Sequence, residues 1–177
     1  MTDIKEYGAA LFLLAEEEGV ADEVREDLLT LGSVINENPE YLKLINTPAV
    51  SKGERLALID GALGGLNRYA VNTVKLLAER RLSGAIPHVI DEYLARYDAA
   101  RGIERVEAVS ALPLTETQLR ALTSKLEGET GKTVIITNTV EPEILGGMKL
   151  RYSGLQLDDS LRTRLDELEK NLKNILI

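Results

Sequence analysis

IPHVIDEYLARYDAARGIERVEAVSALP, residues 86–113, changes its period half-way along. Before Gly102 the apolar residues Ile86, Val89, Ile90, Tyr93 and Tyr97 recur every three or four places, the stripe of an amphipathic helix. After Gly102 the residues of 103–112 are mostly β-branched, small or alternating, and the run stops at Pro113, which reads as a strand. A boundary at Gly102 divides the chain into residues 1–102 and 103–177. The fold class follows from what lies on each side.

Upstream, the helical period persists. Ile4, Tyr7, Leu11 and Leu14 make one stripe, closed by Gly19. Val24, Leu28, Leu31 and Ile35 make a second, closed by Asn36-Glu37-Asn38-Pro39. A short helical piece over residues 41–45 must stop ahead of Pro48, because a residue before proline is driven out of the α region. Ser51 with Glu54 spells a capping box for the next helix, whose inner face is Leu56, Ile59 and Leu63 and whose end is Gly64-Gly65. Asn67 opens a fifth, striped by Ala70, Val74 and Leu77. With the helix quoted above, this predicts a six-helix bundle joined by short connections.

Downstream, strand and helix alternate. Thr115 with Gln118 forms another capping box, for a helix carrying Leu119, Leu122 and Leu126. TVIIT, residues 133–137, reads as a strand buried on both faces. MKLRY and LQL, separated by Ser153-Gly154, read as a β-hairpin. Asp158 or Asp159 then caps a final helix with Leu161, Leu165, Leu168, Leu172 and Ile175. The fold expected is mainly α: an N-terminal six-helix bundle followed by a small α/β domain.

Composition narrows the function. The 177 residues are 44% hydrophobic and 28% charged, as in ordinary globular domains. With no cysteine and one histidine, disulfides, thiolate metal sites and paired imidazoles are excluded. The net charge of -8 opposes general binding to nucleic acid or anionic lipid. Residues 1–40 concentrate it, with 2 basic against 11 acidic side chains, either as a solvated face or as a landing site for a basic partner. No run approaches the roughly 20 apolar residues of a membrane span, and the opening residues lack a signal or transit pattern. A cytoplasmic bacterial protein is expected.

Candidate chemistry fails on spacing. The GETGKT string, residues 128–133, imitates a phosphate-binding loop, but Leu126 stands where that motif needs glycine, and a helix precedes where a strand should. His88 has no nucleophile or acid spaced for a triad. Asp158-Asp159-Ser160 are residue types that cap helices. Lys75, Arg80 and Arg81 make the one small basic spot, on which a runner-up reading as a small helical RNA-binding regulatory protein would have to rest. No catalytic residue, metal site or cofactor is expected; the chemistry is surface against surface.

The ordered strings YGAALF (7–12), LINTPAV (44–50), NTVKLLAERRL (72–82) and IPHVIDEYLARY (86–97), with the stretch from Glu141 through Gly146-Gly147 to Asp158-Asp159-Ser160-Leu161 and Leu165, resemble the delta subunit family of bacterial rotary ATP synthase, relatives of the mitochondrial oligomycin sensitivity-conferring protein. Glu6 departs from it, standing where a basic residue often precedes the tyrosine, and the loop after Arg81 is slightly compressed. The resemblance implies a non-catalytic stator subunit, one copy per complex, peripheral on the cytoplasmic face of the cell membrane. Its helical domain would hold the N-terminal helix of a headpiece α subunit between the first and fifth helices, which nominates Tyr7, Leu11, Leu14, Ala70, Val74 and Leu77. Its second domain would meet the b subunits of the peripheral stalk, nominating Leu165, Leu168, Leu172, Ile175 and Leu176.

Overall fold

The structure is a computed structural model that describes residues 4–143, 148–152 and 155–158. The chain divides into two compact units, Met1–Ala100 and Arg101–Ile177.

The first unit holds α1 (Ile4–Glu17), α2 (Ala21–Glu37), α3 (Pro39–Asn46), α4 (Lys52–Leu63), α5 (Arg68–Glu79), a 3-10 turn (Ser83–Ala85) and α6 (Ile86–Ala100). The caps explain its boundaries. Ser51 and Glu54 form the reciprocal capping box, and the Asn67 side chain accepts from the Tyr69 amide at the start of α5. Helix α3 begins at Pro39, ahead of the expected Tyr41, because proline's fixed φ suits the first turn. Two helices end in the same way. Gly19 after α1 and Arg81 after α5 both take positive φ, and the next residue's amide reaches back five places, Val20 to Ala15 and Leu82 to Leu77. Glycine adopts this turn without strain; an arginine there costs about 1–2 kcal/mol.

The tightest seam joins α1 to α6. A Cβ added at Gly8 would lie 2.6 Å from the Val89 carbonyl oxygen, so only glycine lets these helices come this close. Phe12 meets Tyr93 edge to face at 5.7 Å, and the buried Tyr93 hydroxyl donates to the Ala21 carbonyl at 2.9 Å. Around this seam the core gathers Leu28, Leu31, Ile45, Ile59, Val74 and Leu77.

Four of the residues nominated for a partner belong to that core. Ala70 and Leu77 are 0% exposed, Val74 2% and Leu11 3%, so in this conformation they seal the bundle and offer no surface. The reason is geometric: the centre of each apolar stripe faces the core, and only its flanks reach the rim. In α4 the inner face is shifted as well. Leu56 is half-buried, whereas Arg55 is buried and donates to the carbonyls of Thr47 and Val50 beyond α3.

The second unit contains β1 (Ile103–Ser110), α7 (Glu116–Thr130), β2 (Thr133–Val140), β3 (Met148–Tyr152) and β4 (Leu155–Asp158). Thr115 and Gln118 make the expected capping box. The sheet runs β2-β1-β3-β4, with β1 parallel to β2 and antiparallel to β3. Tyr152 pairs with Leu155, so β3 and β4 form the expected hairpin. The expectation of a doubly buried β2 is corrected. It is an edge strand in which Val134 is buried and Ile135 is 39% exposed. Helix α7 covers one face, where Val106, Leu126 and Val134 pack; the opposite face presents Arg105, Glu107 and Thr137. The final-helix stripe, Leu165 to Leu176, lies outside the described residues.

Candidate partner-binding groove

Polar contacts fix how α1 and α5 lie together. At one end Arg80 donates to the Tyr7 hydroxyl at 2.7 Å, with its guanidinium 5.7 Å from the ring centre. At the other, Arg68 lies 3.9 Å from Glu18. Tyr7 with Arg80 and Glu18 with Arg68 make the two helices antiparallel. The Tyr69 hydroxyl, with help from Glu18, raises the basicity of Arg68 above the ordinary guanidinium value.

Along this pair the stripes split into a buried line and an exposed one. Leu11, Ala70, Val74 and Leu77 close the floor. Leu14, three places after Leu11 and so about 60° round the helix, is 39% exposed. Leu76 on α5 is 40% exposed, and Ala10 and Leu13 extend the apolar surface on α1. The half-buried Tyr7 and Thr73 flank it. Of the six nominated residues the structure thus brings Tyr7 and Leu14 to the surface. Periodicity alone passes over Leu76, Ala10 and Leu13, which are apolar and exposed.

The remaining candidates resolve into structural roles. Helix α7 runs into Gly131 at φ 67 and then strand β2, the reverse of a phosphate loop, and the Lys132 ammonium is held by Glu104 at 2.7 Å. His88 is exposed. Lys75 pairs with Asp60, Arg80 with Tyr7, and Arg81 with the Asn46 carbonyl, so the basic spot is spread over three separate neighbours. Among the described residues no group of three metal-ligating side chains converges, and no helix is long and apolar enough to cross a membrane. A cavity of about 570 Å³ on α4 is lined by Ala49, Val50, Ala57 and Leu58 with one carboxylate, Glu54. That carboxylate is engaged by Ser51, which holds it below the usual carboxylate range. Among the described lining residues Glu54 is the one ionisable side chain.

The family model for the ATP synthase delta (OSCP) subunit matches residues 4–172. The chain belongs to the ATP synthase delta family. Among its relatives, the ATP synthase subunit delta of Geobacillus sp. (strain WCH70) is 32% identical over 95% of both chains. That of Rhodospirillum rubrum is 34% identical, over 96% of this chain and 92% of the relative. A chain in the mitochondrial ATP synthase hexamer of Toxoplasma gondii shares the fold, with a TM-score of 0.76 at 23% identity, covering 97% of this chain and 98% of that one. Delta subunits are structural, non-catalytic members of the synthase.

Proposed function

We propose that this chain is the stator linker of its ATP synthase, tying the catalytic headpiece to the peripheral stalk at the cytoplasmic face of the membrane and resisting rotor torque. The helical unit takes the N-terminal helix of an α subunit along the α1–α5 groove. The second unit meets the b subunits, one copy of the linker serving each complex. The observation that carries the reading is the split stripe: the floor residues are sealed, while Leu14 and Leu76 stay 39% and 40% exposed on the two rims of one groove. Such a rim fits a helix presenting apolar side chains at i, i+3, i+4 and i+7.

The magnitudes suit a stator with two attachments. Anchors seating on half-covered leucines gain about 1–2 kcal/mol each, and association costs of about 4–15 kcal/mol absorb much of the sum. A helix in one groove is then held with moderate affinity, and a second contact on the stalk multiplies the residence.

The test is binding of a synthetic peptide, the first 25 or so residues of the α subunit encoded with this protein, to the full chain by calorimetry. Leu14→Glu or Leu76→Glu should weaken binding at least tenfold, since each places a charge where an apolar anchor must sit, and both variants should melt like the parent. Unchanged affinity in both would place the peptide elsewhere. Saturable, steeply salt-dependent binding of unstructured RNA in its place would favour a nucleic-acid role instead.

A further inference from the structure

Edge strand β2 carries open and blocked backbone positions in a definite order. The Thr133 amide donates to the Gly102 carbonyl and the Glu141 amide to the Ser110 carbonyl, both at 2.9 Å. Because β1 is parallel and in register, the odd-numbered residues of 133–141 turn their N–H and C=O groups toward β1, and the even-numbered ones turn theirs outward. Among the described residues no strand lies beyond β2 to take them. The first outward donor is closed off, since the Val134 amide donates to the Glu127 carboxylate at 3.2 Å. The even position after Val140 is Pro142, which has no N–H. Between these two stops, Ile136, Asn138 and Val140 direct their main-chain groups away from the sheet. The strand, TVIITNTV, is uncharged, and it lacks the lysines and prolines that keep a sheet edge from pairing with its own kind. Its Ile135 and Val140 are 39% and 41% exposed.

The open positions complement themselves. Two β2 strands set antiparallel about a two-fold axis at Asn138 bring Ile136 opposite Val140 of the second copy and Asn138 opposite its equivalent. Each such pair exchanges two main-chain hydrogen bonds, about six in all. One step outward Val134 meets Pro142, so the blocked amide faces the residue that has none. An axis at Ile136 sets Val134 against Asn138, where Glu127 occupies a donor the pairing needs. An axis at Val140 sets Asn138 against Pro142 and wastes an open position. We infer that the unassembled chain pairs with a second copy of itself along β2, antiparallel and centred on Asn138, making one sheet continuous through two copies. An unrelated peptide has no reason to end where both stops of this strand coincide. The pairing goes beyond the stator role, in which a single copy serves, and belongs to the chain outside its complex. Strand contact alone stays well under the roughly 1,200 Å² of a standard interface, which sets the dimer at a Kd of about 10–100 μM.

The chain has no cysteine, so introduced ones read both pairing and register. In the inferred register Thr137 stands opposite Thr139 of the second copy as a non-hydrogen-bonded pair, with Cα atoms about 4.5 Å apart, within disulfide reach. Full-length Thr137→Cys and Thr139→Cys, mixed and oxidised with glutathione, should bridge at least about tenfold faster than either variant with itself, because identical positions lie about 7–8 Å apart on the diagonal. Thr137→Cys mixed with Ile135→Cys reports the rival axis at Ile136. That mixture should bridge no faster than the background set by Gly53→Cys, an open position on α4. Bridging of 137 to 135, or equal rates in every mixture, would overturn the inference. Sedimentation equilibrium of the parent chain should show a reversible dimer at tens to hundreds of micromolar; a monomer throughout that range would also overturn it. Val140→Pro removes an outward N–H and spares the bonds to β1. It should weaken association at least about tenfold while melting like the parent. Association unchanged by Val140→Pro would place the contact on another surface and defeat the proposal. If that variant does not fold, the cysteine mixtures decide alone.

Discussion

The two units bury their apolar residues on different scales. Around the α1–α6 seam, helices α1 to α6 enclose a single cluster that runs from Leu11 to Tyr93 through every helix of the unit. Beneath α7, the described part of the second unit gathers Val106, Leu126 and Val134, with Leu122, Ile136, Leu150 and Tyr152 half-covered round them. Among the described residues the first cluster is the larger and the second the smaller. The lesson is that, among the described residues, apolar burial is concentrated in the helical unit. In the second unit the face of β1 away from Val106 is mixed: Val109 is 0% exposed, whereas Glu107 is held below the usual carboxylate range by the Thr139 hydroxyl and then by Arg151.

The contrast is open to direct attack. Val74→Glu drives an unpaired carboxylate into a site 2% exposed and should cost at least about 4 kcal/mol, unfolding the helical unit. If the units are separate in stability, amide resonances of β1 and β2 persist in that variant; their collapse together would break the comparison. Gly8→Leu forces a side chain onto the Val89 carbonyl and should lower stability by about 3 kcal/mol in a denaturant titration. In the second unit Lys132→Met leaves Glu104, whose side chain is 7% exposed, without its ammonium, and should cost about 1–3 kcal/mol while leaving the helical unit's melting unchanged. The smallest effect runs the other way. Arg81→Gly removes the strain of a non-glycine residue at φ 60 and should add up to about 1 kcal/mol.

Most of the fold was legible because its signals are local. The capping boxes at Ser51 and Thr115, the glycine stop at Gly19 and the hairpin around Ser153-Gly154 each lie within a few residues, and the period change at Gly102 falls two residues from where the compact units divide. The misreadings concern relations across the chain. That β2 lies at an edge depends on β3 and β4 pairing on the far side of β1, which no window around TVIIT contains. That Arg55 is buried depends on the carbonyls of Thr47 and Val50 folding over it. The stripe on α1 was legible, but which of its residues reach the surface was not. Leu11 and Leu14 belong to one stripe, yet a rotation of about 60° puts one at 3% exposure and the other at 39%.

The missing side chain at Gly8 has a mechanical consequence. Because α1 rests against α6 at backbone distance and is bolted there by Phe12 and Tyr93, the first helix of the unit grips the last one directly. A tug applied along α1 reaches the helix that leads out of the bundle without travelling through α2 to α5. To give way, the two rods would have to slide lengthwise with many contacts failing at once, a far stiffer response than peeling one turn at a time.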